Sequence, residues 1–270
     1  MKKLLFFAML LLAVVSCKSK SGKQAFVFTP GDTLAYKSID IDYDQDLGKG
    51  YTVNVVFDVQ YVDDDRLPAV VRDSINAWIG DILFDADEES SLSMEALAER
   101  KAKAIEEAFS EEIFDGDDED NEYFLDFGRA GNENTYGIFS PVVVNGFVNY
   151  FISGDDYHFG AAHGYHYVTP EVFSLTTGKR LTQEELFIEG FEAPLAELLE
   201  KCLFADENYE EDMLFEGIGP NDNFYFTTEG MTYVYNPYEI AAYCYGVIEV
   251  DIPSAELKGL LRPQFVDLWD

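Results

Sequence analysis

GDDYHFGAAHGYHYVTPEVFSLTTGKRLTQEELF, residues 154–187, combines the strand, turn and helix signals from which the architecture of this chain can be worked out. It also holds all three histidines of the sequence: His158, His163 and His166. The tripeptide Thr177–Lys179 predicts a tight turn after a strand, because its central glycine tolerates positive φ. Thr182 followed by Glu185 predicts a capping box at a helix start. The stretch therefore predicts a strand, a turn and a capped helix in succession.

Two strands and two helices are predicted upstream of this stretch. Ile39 to Asp44 alternates apolar and acidic residues, and Tyr51 to Tyr61 has an apolar residue at every second position, as a half-buried strand does. The period then becomes helical, since apolar residues recur every three or four positions from Arg66 to about Phe84. A second helix is predicted after Ser93, a favourable N-cap, and it ends before Asp115. We expect the two helices to cover one face of the sheet.

The rest of the chain is predicted to be rich in hairpins, with short helices between them. Asn145-Gly146 lies between two apolar segments and favours a two-residue hairpin turn, because both residues tolerate positive φ. The further predicted elements are a helix from Pro194 to Leu203, a short helix at 208–215, a hairpin over 224–235, a strand at 247–252 and a closing helix at 253–261. We therefore predict an α+β fold with antiparallel hairpins and a sheet packed against several helices, in two intimately associated halves.

The first residues are typical of an exported lipoprotein. Lys2 and Lys3 precede an apolar run from Leu4 to Val15, and Ser16-Cys17 follows as the expected cleavage and lipidation site. The apolar run is too short to cross a bilayer as a helix. We expect Cys17 to anchor the protein to a membrane of the bacterial cell envelope. The periplasmic face is favoured over the cell surface, because no acidic run follows the cysteine; an ordinary secretory signal is the alternative.

Four regions are predicted along the chain. Residues 1–16 form the signal peptide, 17–36 the lipid tether, 37–157 an α+β segment and 158–270 a C-terminal domain. The tether begins with lysines and polar residues, which favours a flexible chain. No low-complexity linker separates the last two regions, so we expect them to pack together.

The charge of the chain limits its partners. It has 18 Lys and Arg against 52 Asp and Glu, a formal net charge of −34. A surface of that sign repels phosphate backbones and argues against nucleic acid, whereas it attracts cationic proteins. A purely solubilising surface is the alternative explanation of the same composition.

Two cysteines remain beyond the proposed lipid site. Cys202 and Cys244 can form one disulfide in an exported protein. Two separate thiols are the alternative, because a chain with 47% hydrophobic residues can build a core without a cross-link.

Two blocks of sequence resemble the RsiV-like domain family. The first comprises GAAHG at 160–164, FSLTTGKRLT at 173–182 and LF at 186–187; the second comprises NFYF at 223–226, YNPYEIA at 235–241 and GVIEV at 246–250. The family is named after a lysozyme-sensing anti-sigma factor and also occurs in PdaC-type peptidoglycan deacetylases. Residues 37–157 are similar in element order to the segment that precedes the domain in those deacetylases. The sequence departs from the family form at Ala242, where a proline is expected.

The resemblance implies a binding or sensing module in a lipoprotein and brings no catalytic motif with it. The ligands that it implies are a basic protein such as lysozyme, or peptidoglycan. Histidine and tyrosine rings can stack on sugars or anchor protein interfaces. We therefore take the candidate ligand-binding residues from the histidine loop, His158–His166, and from the tyrosine-rich segment, Tyr233–Tyr245. These candidates are His163, Tyr165, Tyr235, Asn236, Tyr238 and Tyr243. Core and turn packing is the alternative role of the tyrosines.

Two chemical alternatives remain open. Three histidines could bind zinc, so the metal candidates are His158, His163 and His166, although their loop lacks the helix or knuckle on which zinc ligands usually converge. The catalytic alternative is an envelope glycan hydrolase or deacetylase-type enzyme that uses Asp155, Asp156 and His163 as acid, base or metal ligand. We favour binding without catalysis, and we expect no metal or other cofactor.

Overall fold

The computed structural model describes residues 28–29, 32–48, 50–86, 92–114, 129–158 and 161–270. The elements of this part are β1 (Tyr36–Gly48), β2 (Tyr51–Val62), α1 (Ala69–Phe84), α2 (Met94–Phe114), β3 (Arg129–Val144), β4 (Phe147–Tyr157), β5 (Tyr165–Ser174), α3 (Gln183–Leu186), α4 (Glu192–Leu203), β6 (Phe224–Phe226), β7 (Gly230–Tyr235), β8 (Ile248–Pro253) and α5 (Ser254–Leu257). Cys17 and the predicted signal peptide lie outside the described residues. Within the described ranges, no helix has both the length and the apolar character needed to cross a membrane.

The strands of the described residues form two sheets. The larger one has five strands in the order β1-β2-β3-β4-β5, and the smaller one has three in the order β6-β7-β8. All neighbouring pairs are antiparallel except β2 and β3, whose parallel pairing needs a crossover, and that crossover contains α1 and α2. The predicted α+β fold is confirmed.

The first hydrophobic core lies between the five-stranded sheet and helices α1 and α2. Every second residue from Tyr51 to Val59 is buried, because successive side chains of a strand point to opposite faces. Helix α1 contributes Ile75 and Ile79, which are fully buried. The ring of Phe57 packs edge-on against that of Phe84, with centroids 5.3 Å apart. The prediction that the two helices cover one face of this sheet is confirmed.

The second hydrophobic core is formed by the three-stranded sheet, α4 and the C-terminal residues. Helix α4 buries Leu195 and Leu199, which lie one helical turn apart. All six residues of β7 are buried, since this strand lies between β6 and β8 and is covered on both faces. The indole N–H of Trp269 donates to the carbonyl of Thr227 at 2.8 Å, so the last residues of the chain close this core.

Buried asparagine side chains join the two sheets. Asn149 of β4 is only 3% exposed, and its amide donates to the Phe226 carbonyl at 2.7 Å while accepting from the Phe226 N–H at 3.0 Å. The Asn149 side chain thus makes the two hydrogen bonds with β6 that a neighbouring strand would make. Asn236 acts similarly on β5, because its Oδ1 accepts from the Val168 N–H at 2.7 Å. Without these amides the backbone groups would lose partners inside the protein.

The turns and caps follow the sequence signals. Asn145 and Gly146 have φ values of 45° and 85°, the two positive values that the tight hairpin between β3 and β4 requires. The Thr182 hydroxyl accepts from the Glu185 N–H, and the Glu185 carboxylate accepts from the Thr182 N–H, both at 3.3 Å. The predicted hairpin and capping box are therefore confirmed.

Element boundaries differ from prediction at prolines and glycines. Helix α1 begins at Ala69 rather than Arg66, because Pro68 disfavours helical geometry in the residue before it. The closing helix ends at Leu257, since Gly259 is a poor helix former and the chain continues in turns. The short helix predicted at 208–215 is a single 3-10 turn, Glu211–Met213.

The predicted division at residue 157 crosses the five-stranded sheet. Strand β5 lies after that position, yet it pairs with β4 from Phe147–Ser174 through to Asp156–Tyr165. The first sheet therefore extends into the region predicted as a C-terminal domain, and the domain boundaries stay a prediction.

A partly buried ion pair joins β5 to the residue after the following turn. Glu171 Oε2 lies 2.6 Å from Arg180 Nε, and the Arg180 guanidinium lies 5.7 Å from the centre of the Trp78 ring on α1. The Glu171 side chain is 11% exposed, and burial raises the pKa of its carboxyl group to about 7, although Arg180 opposes that shift. Ionising Glu171 therefore reduces the stability of the folded state.

Asn149→Ala should lower the free energy of unfolding by about 2–4 kcal/mol, because it leaves both the N–H and the carbonyl of Phe226 buried without their partner. Urea denaturation measures the loss. Asn54→Ala is the matched control, since the Asn54 amide bonds to Asp42 at the exposed surface, and it should change stability by less than about 0.5 kcal/mol. Similar losses in the two variants would contradict the role assigned to Asn149.

Glu171→Gln should raise the free energy of unfolding at pH 8 by on the order of 2–3 kcal/mol, and this gain should vanish near pH 4.5. The folded pKa of about 7 exceeds the ordinary value of 4.5, so wild-type stability decreases as pH rises through this window, whereas glutamine has no proton to lose. Urea denaturation at the two pH values measures the difference. Glu197→Gln, at an exposed position of α4, controls for the removal of one charge. A gain that is independent of pH would refute this assignment.

Candidate functional site

Three aromatic rings from distant parts of the sequence meet beside the start of β5. The ring of His163 stacks on that of Tyr243 with centroids 3.9 Å apart, and its centroid lies 6.2 Å from that of Tyr238. The two tyrosine rings are 5.6 Å apart. The cluster therefore joins the histidine loop to the part of the tyrosine-rich segment that follows β7.

Hydrogen bonds fix the orientation of these rings. The Gly164 carbonyl lies 2.8 Å from His163 Nδ1 and accepts from the Tyr243 hydroxyl, also at 2.8 Å. A carbonyl can only accept, so Nδ1 carries a proton. In the neutral ring Nε2 is then the acceptor for the Tyr238 hydroxyl, 3.1 Å away. Both ring nitrogens of His163 are thus bound by the protein itself, which makes this histidine an organiser of the tyrosines.

Tyr238 lies in a turn with an unusual backbone conformation. The Glu239 N–H donates to the Asn236 carbonyl at 3.0 Å, which places Pro237 and Tyr238 at the two central positions. Tyr238 has φ of 71°, as the third residue of a type II turn requires, although glycine normally occupies that position. A tyrosine there costs on the order of 1–3 kcal/mol, and such strain is concentrated at functional sites.

Further exposed tyrosine side chains lie next to this cluster. Tyr238 is 52% exposed and Tyr165 is 41% exposed. Tyr157 is exposed too and lies beside Gly164, at which an added Cβ would be 3.9 Å from the Tyr157 Cβ. We call the residues His163, Tyr157, Tyr165, Tyr238 and Tyr243 the His163 patch. Half-exposed tyrosines are the residues that protein interfaces and sugar-binding surfaces use.

Carboxylates border the His163 patch. Asp156 pairs directly with Tyr165 across β4 and β5, and with Glu133 across β3 and β4. Burial raises the pKa of the Glu133 and Asp156 carboxyl groups, and the proximity of Asp156 raises that of Glu133 further. Asp155 points to the other face of β4, where His166 Nδ1 lies 2.8 Å from its Oδ1. A cationic ligand at this edge would relieve the repulsion between Glu133 and Asp156.

Two of the six candidate ligand-binding residues are internal. Tyr235 is 2% exposed, and its hydroxyl donates to the Gly219 carbonyl at 2.8 Å. Asn236 is 7% exposed and bonds to Val168 through its side chain. The structure brings three of the other candidates, His163, Tyr238 and Tyr243, into contact. Tyr165 is exposed two residues after His163, and its ring stacks on that of Tyr167. Asn236 helps to position Tyr238, because its carbonyl accepts from the Glu239 N–H in the turn that contains Tyr238.

The histidines do not form a metal centre in the part of the chain that the structure describes. No group of three or more His, Cys, Asp or Glu side chains is placed there to hold a metal ion. His166 lies against Asp155, whereas His163 faces Tyr238 and Tyr243. Of the residues of the catalytic alternative, Asp155 pairs with His166, whereas both ring nitrogens of His163 are bonded to Gly164 and Tyr238.

Sequence reasoning did not single out Tyr157, Glu133 or the Arg180–Glu171 pair. Tyr157 could have been found, since it precedes His158 in the stretch that contains the histidines. Glu133 has no local signal, because its proximity to Asp156 depends on the register between β3 and β4.

The two cysteines of the described chain are free thiols. Cys202 is half-buried on α4, and burial raises the pKa of its thiol. Cys244 is exposed in the 3-10 turn Tyr243–Tyr245. No disulfide joins Cys202 and Cys244 in this structure.

Known proteins resemble this chain in part of its sequence and in its fold. No curated protein matches the sequence. The crystal structure of a DUF3298 family member from Bacteroides fragilis is similar with a TM-score of 0.76 and 20% identity, over 88% of this chain and 97% of that one. A DUF3298 family protein from Pseudomonas aeruginosa is similar with a TM-score of 0.60 and 17% identity, over 86% and 96% of the two chains.

The family match lies in the C-terminal part, where it includes the second block of the RsiV-like resemblance. The RsiV-like assignment itself stays a prediction, because the family description gives no ligand. Residues 184–255 match the family described as protein of unknown function (DUF3298), and the fold is shared with two solved members of that family.

Proposed function

We propose that this protein binds a cationic protein, of lysozyme type, through the His163 patch, and that it does so without catalysis. The observation that carries the proposal is the set of solvent-exposed tyrosine rings that His163 and the strained turn at Tyr238 hold in place. Tyrosine is enriched among the residues that contribute most to protein interfaces.

Fixed rings reduce the entropic cost of binding. The hydroxyl groups of Tyr238 and Tyr243 are bonded to His163 Nε2 and to the Gly164 carbonyl, so few rotamers remain to be lost. A surface that is ordered before the partner arrives converts more of its contact energy into affinity. Tyr238 is 52% exposed, so its ring stays available to a ligand.

The charge of the chain favours a cationic partner. Its formal net charge of −34 would accelerate encounter with a basic protein. At the contact itself, Arg and Lys side chains bind well to tyrosine faces, at about 0.5–2 kcal/mol each. The neighbouring Glu133 and Asp156 supply carboxylates at the edge of the patch. Aromatic rings with acidic neighbours are thus complementary to an arginine-rich surface.

Peptidoglycan is the second candidate ligand, and the same rings favour it. Sugar faces stack on tyrosines, and hydroxyl groups of a glycan could bond to the Tyr165 and Tyr157 phenols. Peptidoglycan stems carry carboxylates, however, which a strongly acidic surface repels. We therefore place the basic protein first.

Tyr238→Gly and Tyr165→Ala should each weaken binding of hen egg-white lysozyme at least about tenfold, because each removes an exposed ring from the patch. Tyr238→Gly should not lower the free energy of unfolding, since glycine accepts positive φ without strain. Isothermal titration calorimetry of the full chain measures the affinity, and sodium chloride raised from about 50 to 300 mM should weaken it several-fold.

Tyr36→Ala is the matched control, because Tyr36 is 48% exposed on β1 and lies outside the patch. Cytochrome c serves as a basic protein of unrelated shape. Equal binding of cytochrome c and lysozyme, or full lysozyme affinity in both patch variants, would refute recognition through the patch. Incubation with purified peptidoglycan tests the enzyme alternative. Release of sugar or acetate would support that alternative and contradict binding without catalysis.

We propose in addition that Cys17 carries a lipid that holds the protein at a membrane of the cell envelope. The support is the sequence pattern from Lys2 to Cys17. Cys17→Ser should move the protein from the membrane fraction to the supernatant, as immunoblots of fractionated cells would show. Equal membrane retention of wild type and variant would rule out this anchor.

A further inference from the structure

We propose that a second ligand site lies at the far end of β5, where a cleft with three basic side chains takes a small molecule that carries a phosphate or carboxylate group. This inference is independent of the function proposed for the His163 patch. We call the site the basic cleft and define it by Lys179, Arg180, Arg262, Phe147 and Phe265, which line a cavity of about 490 Å³. That volume is in the range of pockets for small ligands.

The local charge is opposite to that of the chain. Acidic residues outnumber basic ones by 52 to 18 in the sequence, whereas the cleft is lined by three basic residues and two acidic ones, Glu184 and Glu185. Chance placement of charges would give an excess of carboxylates here. The cleft is therefore a place where this acidic protein can accept an anion.

Two of the cations have no carboxylate partner among the described residues. Neither Lys179 nor Arg262 takes part in any of the ion pairs of the described chain. Most other lysines and arginines of the described chain do form such pairs, as expected when acids are abundant. The charges of Lys179 and Arg262 therefore remain available to a ligand. Arginine matches the geometry of phosphate and carboxylate groups well.

The backbone holds the basic residues in place. The Arg262 N–H donates to the Leu186 carbonyl at 2.9 Å, and its Nε donates to the Glu184 carbonyl at 3.0 Å. The turn before Lys179 is clamped to α1, because the Ser74 hydroxyl donates to the Gly178 carbonyl at 3.0 Å.

Gly178 is required in this turn. It has φ of 72°, and a Cβ added to it would lie 2.6 Å from the Val71 carbonyl oxygen. The turn therefore packs directly on the backbone of α1, and the position of Lys179 follows from that packing.

Arg180, the third basic residue of the cleft, also contacts residues of the protein interior. Arg180 Nε binds Glu171, and its guanidinium stacks near Trp78, so this side chain is held at the cleft with part of its donor set already used. Glu184 and Glu185 are exposed at the same cleft, and Glu185 is engaged in the capping box. Their charges disfavour extended polyanions, which supports a small ligand with one or two anionic groups.

Apolar walls complete the site. The rings of Phe147 and Phe265 lie with centroids 6.1 Å apart, and both are only partly buried. The side chain of Leu181 is buried against them. An anion joined to an aromatic or other apolar group would use the cations and the walls together.

Phenyl phosphate, benzoate and inorganic phosphate are suitable probes, titrated calorimetrically into the full chain at constant ionic strength set with sodium chloride. We expect phenyl phosphate or benzoate to bind, and phenyl phosphate to bind more tightly than inorganic phosphate because of the apolar walls. Stronger binding of phenyl phosphate than of benzoate identifies phosphate as the preferred group, and the reverse identifies carboxylate. The proposal is wrong if neither phenyl phosphate nor benzoate gives a heat of binding larger than the heat from added sodium chloride.

Substitution locates the site. Lys179→Gln and Arg262→Gln together should weaken binding of the better probe at least about tenfold, through loss of charge-assisted hydrogen bonds. Lys179→Gln alone, at an exposed position, tests the site if the double variant fails to fold. Lys103→Gln is the control for charge, since Lys103 pairs with Glu107 on α2. Equal weakening by Lys103→Gln, or none by Lys179→Gln, would show that binding is not in the cleft.

Discussion

The relative arrangement of the two sheets depends on the pair of hydrogen bonds between Asn149 and the backbone of Phe226. Strand β6 has only three residues and would otherwise end the smaller sheet with unpaired groups inside the protein. A side-chain amide satisfies one donor and one acceptor at once, as a neighbouring strand would. The ring of Phe151 packs on that of Tyr225 beside it, with centroids 5.0 Å apart, so apolar and polar contacts coincide at this joint. The relative placement of the two cores is thereby fixed by specific bonds and not by apolar burial alone.

This connection between the two sheets explains why both candidate sites lie along β5. The strand has ten residues, so its ends are about 30 Å apart. The His163 patch forms at its beginning, where the segment after β7 reaches back to the larger sheet. The basic cleft forms at its end, where the turn after Ser174 meets the chain near Arg262. Each site combines residues of the larger sheet or its turns with residues from the C-terminal part of the chain, and neither would exist if the two parts were separate.

Local patterns were sufficient for most elements of the fold, and insufficient for the contacts between them. Some features depend only on residues that are close in the sequence, and they can therefore be predicted from it. Examples are the alternation in β2, the Asn145-Gly146 turn and the Thr182–Glu185 capping box. The burial of Asn149 and the pairing of Glu171 with Arg180 depend on which strands become adjacent. The tyrosine-rich segment shows both cases. Its rings were identifiable as a group, yet only the fold decides that Tyr235 is internal while Tyr238 is exposed.

The loop around the His163 patch keeps its shape although one expected residue is absent. Ala242 has φ of −64°, the value that a proline ring would impose, so the substitution leaves the backbone path unchanged. The turn at Tyr238 is different, because its positive φ is unfavourable for tyrosine and must be imposed from outside. Asn236 imposes it: its N–H donates to the Glu239 carboxylate at 2.9 Å, while its side chain binds β5. Glycine at position 238 would satisfy the backbone better, so folding alone gives no reason for an aromatic ring there. The ring is 52% exposed and contributes little to the core. Under the proposed function, the reason for a tyrosine at this position is recognition of a ligand at the surface.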